Sequence, residues 1–246
     1  MEHIHRCGEM AKMAEIAYLD GKEAKKKFKE MGYPNHKFWD IDGAQVHAVW
    51  TTSNMRTQGT YVLAFRGTEP DELSDILADL NAFPDRGVSG GWVHNGFQNE
   101  LEKVWDEIKT HKTSHGSDCT FYITGHSLGG AMATLAASRF NLFDRIDCLF
   151  TYGSPRVGTR SFVKSCKFLH YRHKNNNDLV TTVPLFLMGY KHHGTLRYIN
   201  FYGNVRKLTP WQMIKDKWRG WKSGILDGMM DHGIGNYCKA LKGGEK

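Results

Sequence analysis

Long apolar runs are missing from this 246-residue chain. The longest uncharged, apolar-leaning stretch, Leu179–Tyr190, is broken by Thr181, Thr182 and Pro184. It falls well short of the roughly 20 residues a membrane-spanning helix needs, so no integral span is expected. Proline is scarce, with six residues, and no Pro/Ser-rich linker, repeat or low-complexity tract appears. That predicts one domain over residues 1–246. The five cysteines are odd in number and form no CxxC pair, which excludes a disulfide framework and predicts free thiols in a reducing compartment. The first twenty residues hold no continuous apolar segment and no small-residue cleavage site. A cytoplasmic protein is therefore expected, although leaderless export would leave no mark. HExxH, EF-hand, Walker and dinucleotide-binding patterns are all absent, so no metal and no cofactor are expected. His192 and His193 are adjacent, so their rings diverge, and no carboxylate is spaced to join them.

What is present is core material and a modest positive charge. Aromatic residues make up 12% of the chain, enough to exclude disorder as its main state. Lys and Arg number 33 against 26 Asp and Glu, a net +7. The excess favours anionic surfaces but is spread along the chain, so nucleic-acid binding is not expected.

Apolar periodicity divides the chain into alternating elements. Residues 5–19 carry Met10, Met13, Ala14, Ala17 and Tyr18 at helical spacing, and the basic run Lys22–Lys29 reads as a solvated helix face. Phe38–Asp42 and Val46–Thr51 read as a hairpin around Asp42-Gly43, followed by a short strand, Tyr61–Arg66. Leu73, Ile76, Leu77 and Leu80 fall at i, i+3, i+4, i+7, and Asn95–Lys109 repeats that pattern with Asn95 as the expected N-cap. Strands at Thr120–Thr124, Cys148–Tyr152 and Phe168–Arg172 then alternate with helices at Gly130–Phe140 and near Arg160–Ser165. The alternation predicts an α/β fold with a mostly parallel central sheet, helices on both faces and a mixed N-terminal edge.

The sharpest motif is Gly125-His126-Ser127-Leu128-Gly129-Gly130, between an apolar strand and a helix of small residues. A sharp strand-to-helix turn lifts the serine hydroxyl clear of the sheet and aims a helix N-terminus at the reacting centre. A serine nucleophile needs a base, and the base needs an orienting carboxylate. After Ser127 the histidines are His170, His173, His192, His193 and His232. Asp178 follows a predicted strand through a turn-rich Asn175-Asn176-Asn177 loop, where α/β sheets place their sites. Position alone does not choose His232 over His193.

These pieces together resemble the class 3 lipases, the fungal-type family of α/β-hydrolases. The resemblance covers roughly residues 40–240. It rests on Ala64-Phe65-Arg66-Gly67-Thr68, Val93-His94-Asn95-Gly96-Phe97, Gly125–Gly130, Tyr152-Gly153-Ser154-Pro155-Arg156-Val157-Gly158, Asn177-Asp178 with Val180 and Pro184, and Asp231-His232, in that order. It implies Ser127 as nucleophile, Asp178 as triad acid and His232 as base, with His193 as the runner-up. The backbone amides of Leu128 and Thr68 would form the oxyanion hole. The implied activity is hydrolysis of acylglycerol esters through an acyl-enzyme. The same residues would serve a phospholipase A1, and a membrane-binding module retaining the fold is the non-enzymatic alternative.

The resemblance also places a lid at Glu69–Phe83. Its acidic residues Glu69, Asp71, Glu72, Asp75 and Asp79 argue against strong activation at anionic lipid. Further on, Trp211, Ile214, Trp218, Trp221 and Ile225 recur at helical spacing among Lys215, Lys217, Arg219 and Lys222. A basic, Trp-bearing amphipathic helix suits either transient contact with a lipid surface or packing of its Trp face over the core.

Overall fold

Asp42 and Gly43 both have positive φ, 50° and 82°, as a two-residue type I′ turn requires. They join β1 (Asn35–Ile41) to β2 (Ala44–Trp50), with Ile41 opposite Ala44. The computed structural model describes residues 3–53, 58–68, 83–116, 118–206, 209–223 and 231–242. The expected lid therefore lies outside the described residues, except for Phe83, which is exposed. Ile225, the last of the helically spaced apolar residues near the C-terminus, lies outside them as well.

The hairpin opens an eight-stranded sheet. Its remaining strands are β3 (Gly59–Phe65), β6 (Cys119–His126), β7 (Cys148–Tyr152), β9 (His170–Asn175), β11 (Thr195–Ile199) and β12 (Val205–Arg206). The spatial order is β1-β2-β3-β6-β7-β9-β11-β12. Pairing is parallel from β3 through β11 and antiparallel at both edges. A small antiparallel sheet of β4 (Pro84–Arg86), β5 (Trp92–His94), β8 (Gly158–Thr159) and β10 (Tyr190–Lys191) stands beside it in the order β10-β8-β5-β4.

Period-two alternation sends side chains to two cores. Leu63, Phe65, Phe121 and Ile123 pack against α3 (Asn95–Ser114) and α4 (Leu128–Phe140). Val62, Ala64, Tyr122 and Phe150 face α1 (Cys7–Ile16) and α7 (Ile234–Leu241). Among the described residues the remaining α-helices are α2 (Gly21–Glu30), α5 (Arg160–Ser165) and α6 (Pro210–Ser223). This is the α/β-hydrolase fold.

Two local expectations change, the end of the first helix and the cap of α3. The N-terminal pattern is interrupted, so that α1 ends at Ile16 and the basic run forms its own helix, α2. Asp20 caps α2, accepting from the amides of Lys22 and Glu23. The cap of α3 is His94 rather than Asn95; its ring nitrogen accepts from the Phe97 amide at 3.4 Å. The five cysteines are free, four buried and Cys119 partly so.

Candidate active site

The parallel register aligns the C-terminal ends of four strands. Phe65 pairs with Gly125, Gly125 with Thr151, and His126 with Tyr152, which in turn pairs with His173. Thr68, Ser127, Gly153 and Asp178 follow these strand ends, whereas His232 comes from the segment just before α7.

Ser127 sits at the turn from β6 into α4 with φ 56° and ψ −129°. This backbone region suits glycine and is costly for a side chain, by about 1–3 kcal/mol. The turn is clamped by close backbone approach. A Cβ on Gly129 would lie 2.3 Å from the Phe65 carbonyl oxygen, and one on Gly125 would lie 2.3 Å from that of Gly129. The small residues of α4 let it lie this close to the sheet, and every residue from Gly129 to Phe140 is buried.

Asp178 is fully buried in the loop after β9. Its two oxygens each lie 3.0 Å from His232 Nδ1. The carboxylate also accepts from the Val180 amide at 2.9 Å and from the Tyr237 hydroxyl at 2.5 Å. Burial, followed by the neighbouring Asp178 charge, pushes the Tyr237 phenol well above its usual range, so it donates as a neutral hydroxyl. A second pair of contacts fixes the segment before His232. Asn175 Nδ2 donates to the Asp231 carbonyl at 2.9 Å, and the Asn177 amide donates to Asp231 Oδ2 at 3.0 Å.

The serine and this pair meet across Gly153 and His126. Gly153 has φ 58°, and a Cβ there would lie 2.8 Å from both Asp178 Oδ2 and His232 Nδ1. The Ser127 amide donates to the Tyr152 carbonyl, one residue before Gly153. The His126 ring lies tilted against the His232 ring with centroids 4.4 Å apart, and its Nε2 lies 2.7 Å from the His232 carbonyl oxygen. His126 Nδ1 lies 2.7 Å from the Tyr18 hydroxyl. Burial, then proximity to His232, pushes the His126 pKa well below its ordinary value and keeps the ring neutral. Among the described residues, Ser127 Oγ and His232 Nε2 are buried and have no hydrogen-bond partner.

Leu128 opens α4, so its amide has no intrahelical acceptor. Leu128 and Thr68 line one cleft of about 230 Å³. A Cβ on Gly67 would lie 3.2 Å from Ser127 Cβ, so the chain leaving β3 passes directly against the serine.

His193 lies elsewhere. Its ring stacks on His170, with Nδ1 atoms 3.1 Å apart, while Asp178 holds His232 instead. Tyr237, the spacer role of Gly153 and the supporting role of His126 were not expected. No motif marks Tyr237, and only folding brings α7 against Asp178.

Comparison with known proteins agrees with this architecture. The family model for lipase (class 3) matches residues 62–188, more than half of the chain, and the chain belongs to that family. Over 122 residues it is 39% identical to the toxin TseL of Vibrio cholerae, covering 46% of this chain and 18% of that protein. Over 112 residues it is 39% identical to the secreted mono- and diacylglycerol lipase 1 of Fusarium solani, covering 43% of this chain and 33% of that protein. The matches thus span a minor part of these curated relatives. In fold it is similar to a mutant of MDLA from Penicillium cyclopium, with a TM-score of 0.70 at 20% identity over 94% of this chain and 95% of that one. The expected cytoplasmic location is corrected here. The Fusarium solani and Penicillium cyclopium lipases to which the chain is similar are secreted proteins. The composition of the first twenty residues is a weak guide to location.

Proposed function

We propose that this chain is a serine ester hydrolase acting on acylglycerol esters. The observation that carries the reading is a buried, unpartnered Ser127 Oγ at a strained strand-to-helix turn, beside an Asp178–His232 pair whose outer nitrogen is likewise unpartnered among the described residues. Asp178 accepts a hydrogen bond from Nδ1–H of His232 and so fixes the tautomer that leaves Nε2 a base. His232 takes the Ser127 proton as Oγ attacks the ester carbonyl carbon. The oxyanion rests on the amides of Leu128 and Thr68, and each such donor is worth about 3 kcal/mol in the transition state. Collapse breaks the C–O bond, His232 protonates the departing alcohol, and water releases the acyl group by the same steps in reverse.

Contact with a lipid surface belongs to the same reading. Trp211, Ile214 and Trp218 on α6 are exposed, as are Leu185, Phe186, Leu187 and Met188 in the loop beyond Asp178. Exposed aromatic and aliphatic groups of this kind favour an apolar interface.

A fluorophosphonate probe should label Ser127, and emulsified mono- and diacylglycerols should be hydrolysed with release of fatty acid. Absence of labelling, with neither long-chain nor short-chain esters turned over, would overturn the proposal.

Gly153→Ala provides an independent test of the arrangement. The added methyl group has no room between Asp178 and His232. Displacement of the pair by a fraction of an ångström is expected to cost roughly 100-fold in kcat. Unchanged kcat in the variant would remove Gly153 as the spacer of this pair.

A further inference from the structure

His232 is held at two points. Asp178 takes its ring, with each carboxylate oxygen 3.0 Å from Nδ1. His126 takes its backbone, with Nε2 lying 2.7 Å from the His232 carbonyl oxygen. A contact at Nδ1 alone would let the ring swing about that one point. The second contact sets the height of the backbone, and with it the place that His232 Nε2 reaches relative to Ser127.

The partners of His126 fix its tautomer. A carbonyl oxygen can only accept, so the single proton of the neutral His126 ring sits on Nε2 and is donated to His232. His126 Nδ1 is then a bare acceptor. The Tyr18 hydroxyl, 2.7 Å away, donates to it. The ring is thus anchored at both nitrogens, inside a site where an unmet polar atom is costly. Anchored at one nitrogen only, it could pivot and carry the His232 backbone with it.

Tyr18 is itself firmly placed at the end of α1. Its ring carries the Arg66 guanidinium, 5.8 Å from the ring centroid. A Cβ on Gly67 would lie 2.4 Å from the Tyr18 hydroxyl oxygen and equally close to the His126 carbonyl oxygen. The chain leading to Thr68 therefore runs between these two residues. The Thr68 carbonyl oxygen, 3.5 Å from the same hydroxyl, is a far weaker acceptor than His126 Nδ1. With its one proton directed to His126, Tyr18 meets other neighbours through its oxygen lone pairs or its ring. Tyr18 also stands outside residues 62–188, over which the family model matches, so that match assigns it no role.

We propose that Tyr18 is a positioning residue for ester hydrolysis, acting on His232 through His126. Its hydroxyl holds the outer nitrogen of a ring whose inner nitrogen holds the backbone of the base. The inference rests on the hydrolase reading above and extends that machinery to the end of the first helix.

A double-mutant cycle on soluble p-nitrophenyl butyrate tests it, with the Tm of each variant measured alongside. Tyr18→Phe removes one oxygen atom and keeps the ring. It should lower kcat by about 10-fold and leave KM unchanged, because the base is displaced and no substrate contact is lost. His126→Leu removes the intermediary, so adding Tyr18→Phe to it should change kcat by less than about 2-fold further. His126→Gln retains an N–H that can reach the His232 carbonyl, and it should keep several-fold more kcat than His126→Leu. In ¹H–¹⁵N spectra of the histidine side chains, wild-type protein should show a slowly exchanging His126 Nε2 proton that broadens in Tyr18→Phe. This last readout holds for any variant that folds and needs no turnover. Equal costs of Tyr18→Phe in the wild-type and His126→Leu backgrounds would overturn the proposal, since Tyr18 would then act by another route. A raised KM with unchanged kcat would do the same by making Tyr18 a substrate contact, as would equal losses in the two His126 variants or a sharp Nε2 proton in Tyr18→Phe. A wild type that turns over no ester would overturn the hydrolase reading itself, which additive losses in an active enzyme would leave standing.

Discussion

Ser127→Ala is expected to lower kcat on p-nitrophenyl esters by about 10⁴-fold or more, with the Tm unchanged or raised. Both halves follow from one position. Chemically, the variant loses the atom that forms the acyl-enzyme, leaving only binding and oxyanion stabilisation. Energetically, it loses a buried hydroxyl without a partner among the described residues, a group that costs rather than contributes stability. The backbone strain remains, because alanine also carries a Cβ at φ 56°. Ser127→Gly removes that too. Relief of about 1–3 kcal/mol exceeds or matches the roughly 1 kcal/mol of extra chain entropy that glycine brings. Ser127→Gly should therefore be the more stable of the two inactive variants, and calorimetry alongside the ester assay reads both. A lowered Tm in both variants would attribute the lost activity to damaged folding instead.

The second large effect is acid instability. Burial is the leading cause that lowers the pKa of His94 to about 4 and of His47 to about 3. His36, His111 and His193 are lowered to about 4 for the same leading reason. In the unfolded chain these rings titrate near their ordinary value of about 6.5. Between about pH 6.5 and pH 4 the unfolded state therefore binds more protons than the folded one, and stability falls as the pH falls. Above about pH 6.5 the contribution of these rings is fully present. His94 and His47, both essentially inaccessible, would withdraw roughly 3 and 5 kcal/mol respectively once the pH is below both pKa values. That is on the scale of the whole stability of a domain, about 5–15 kcal/mol. A steep, continuous drop in Tm from pH 6.5 to pH 4 is expected, accompanied by proton uptake on unfolding. A Tm that stays level across that interval would mean that these rings are solvated or protonated in the folded protein.

Much of the fold could be read from the chain, because the determinants were local. The Asp42-Gly43 turn, the apolar β3 and the small-residue α4 each carry their own pattern. The strand ends leading to Thr68, Ser127 and Gly153 were legible for the same reason, as each belongs to a short motif. Elements set by tertiary contact were harder to see. β11 is a short strand whose partner, β9, lies well before it in the chain. His94 caps α3 through a ring nitrogen, a role for which Asn95 is the stronger candidate on propensity alone. Tyr237 reaches Asp178 only because α7 packs on the sheet.

The first helix begins where the last one ends. A Cβ on Gly8 of α1 would lie 2.8 Å from the Leu241 carbonyl oxygen of α7. The order in which the chain visits its elements is therefore separable from the shape those elements make. A short covalent link between these two helices, with new ends opened at the exposed Tyr202-Gly203 turn, would leave every strand beside its present neighbour. Such a circular permutant would bring α1 and α7 together as a local contact instead of one that spans nearly the whole chain. Its folding rate, and not its final form, is what the rearrangement would change.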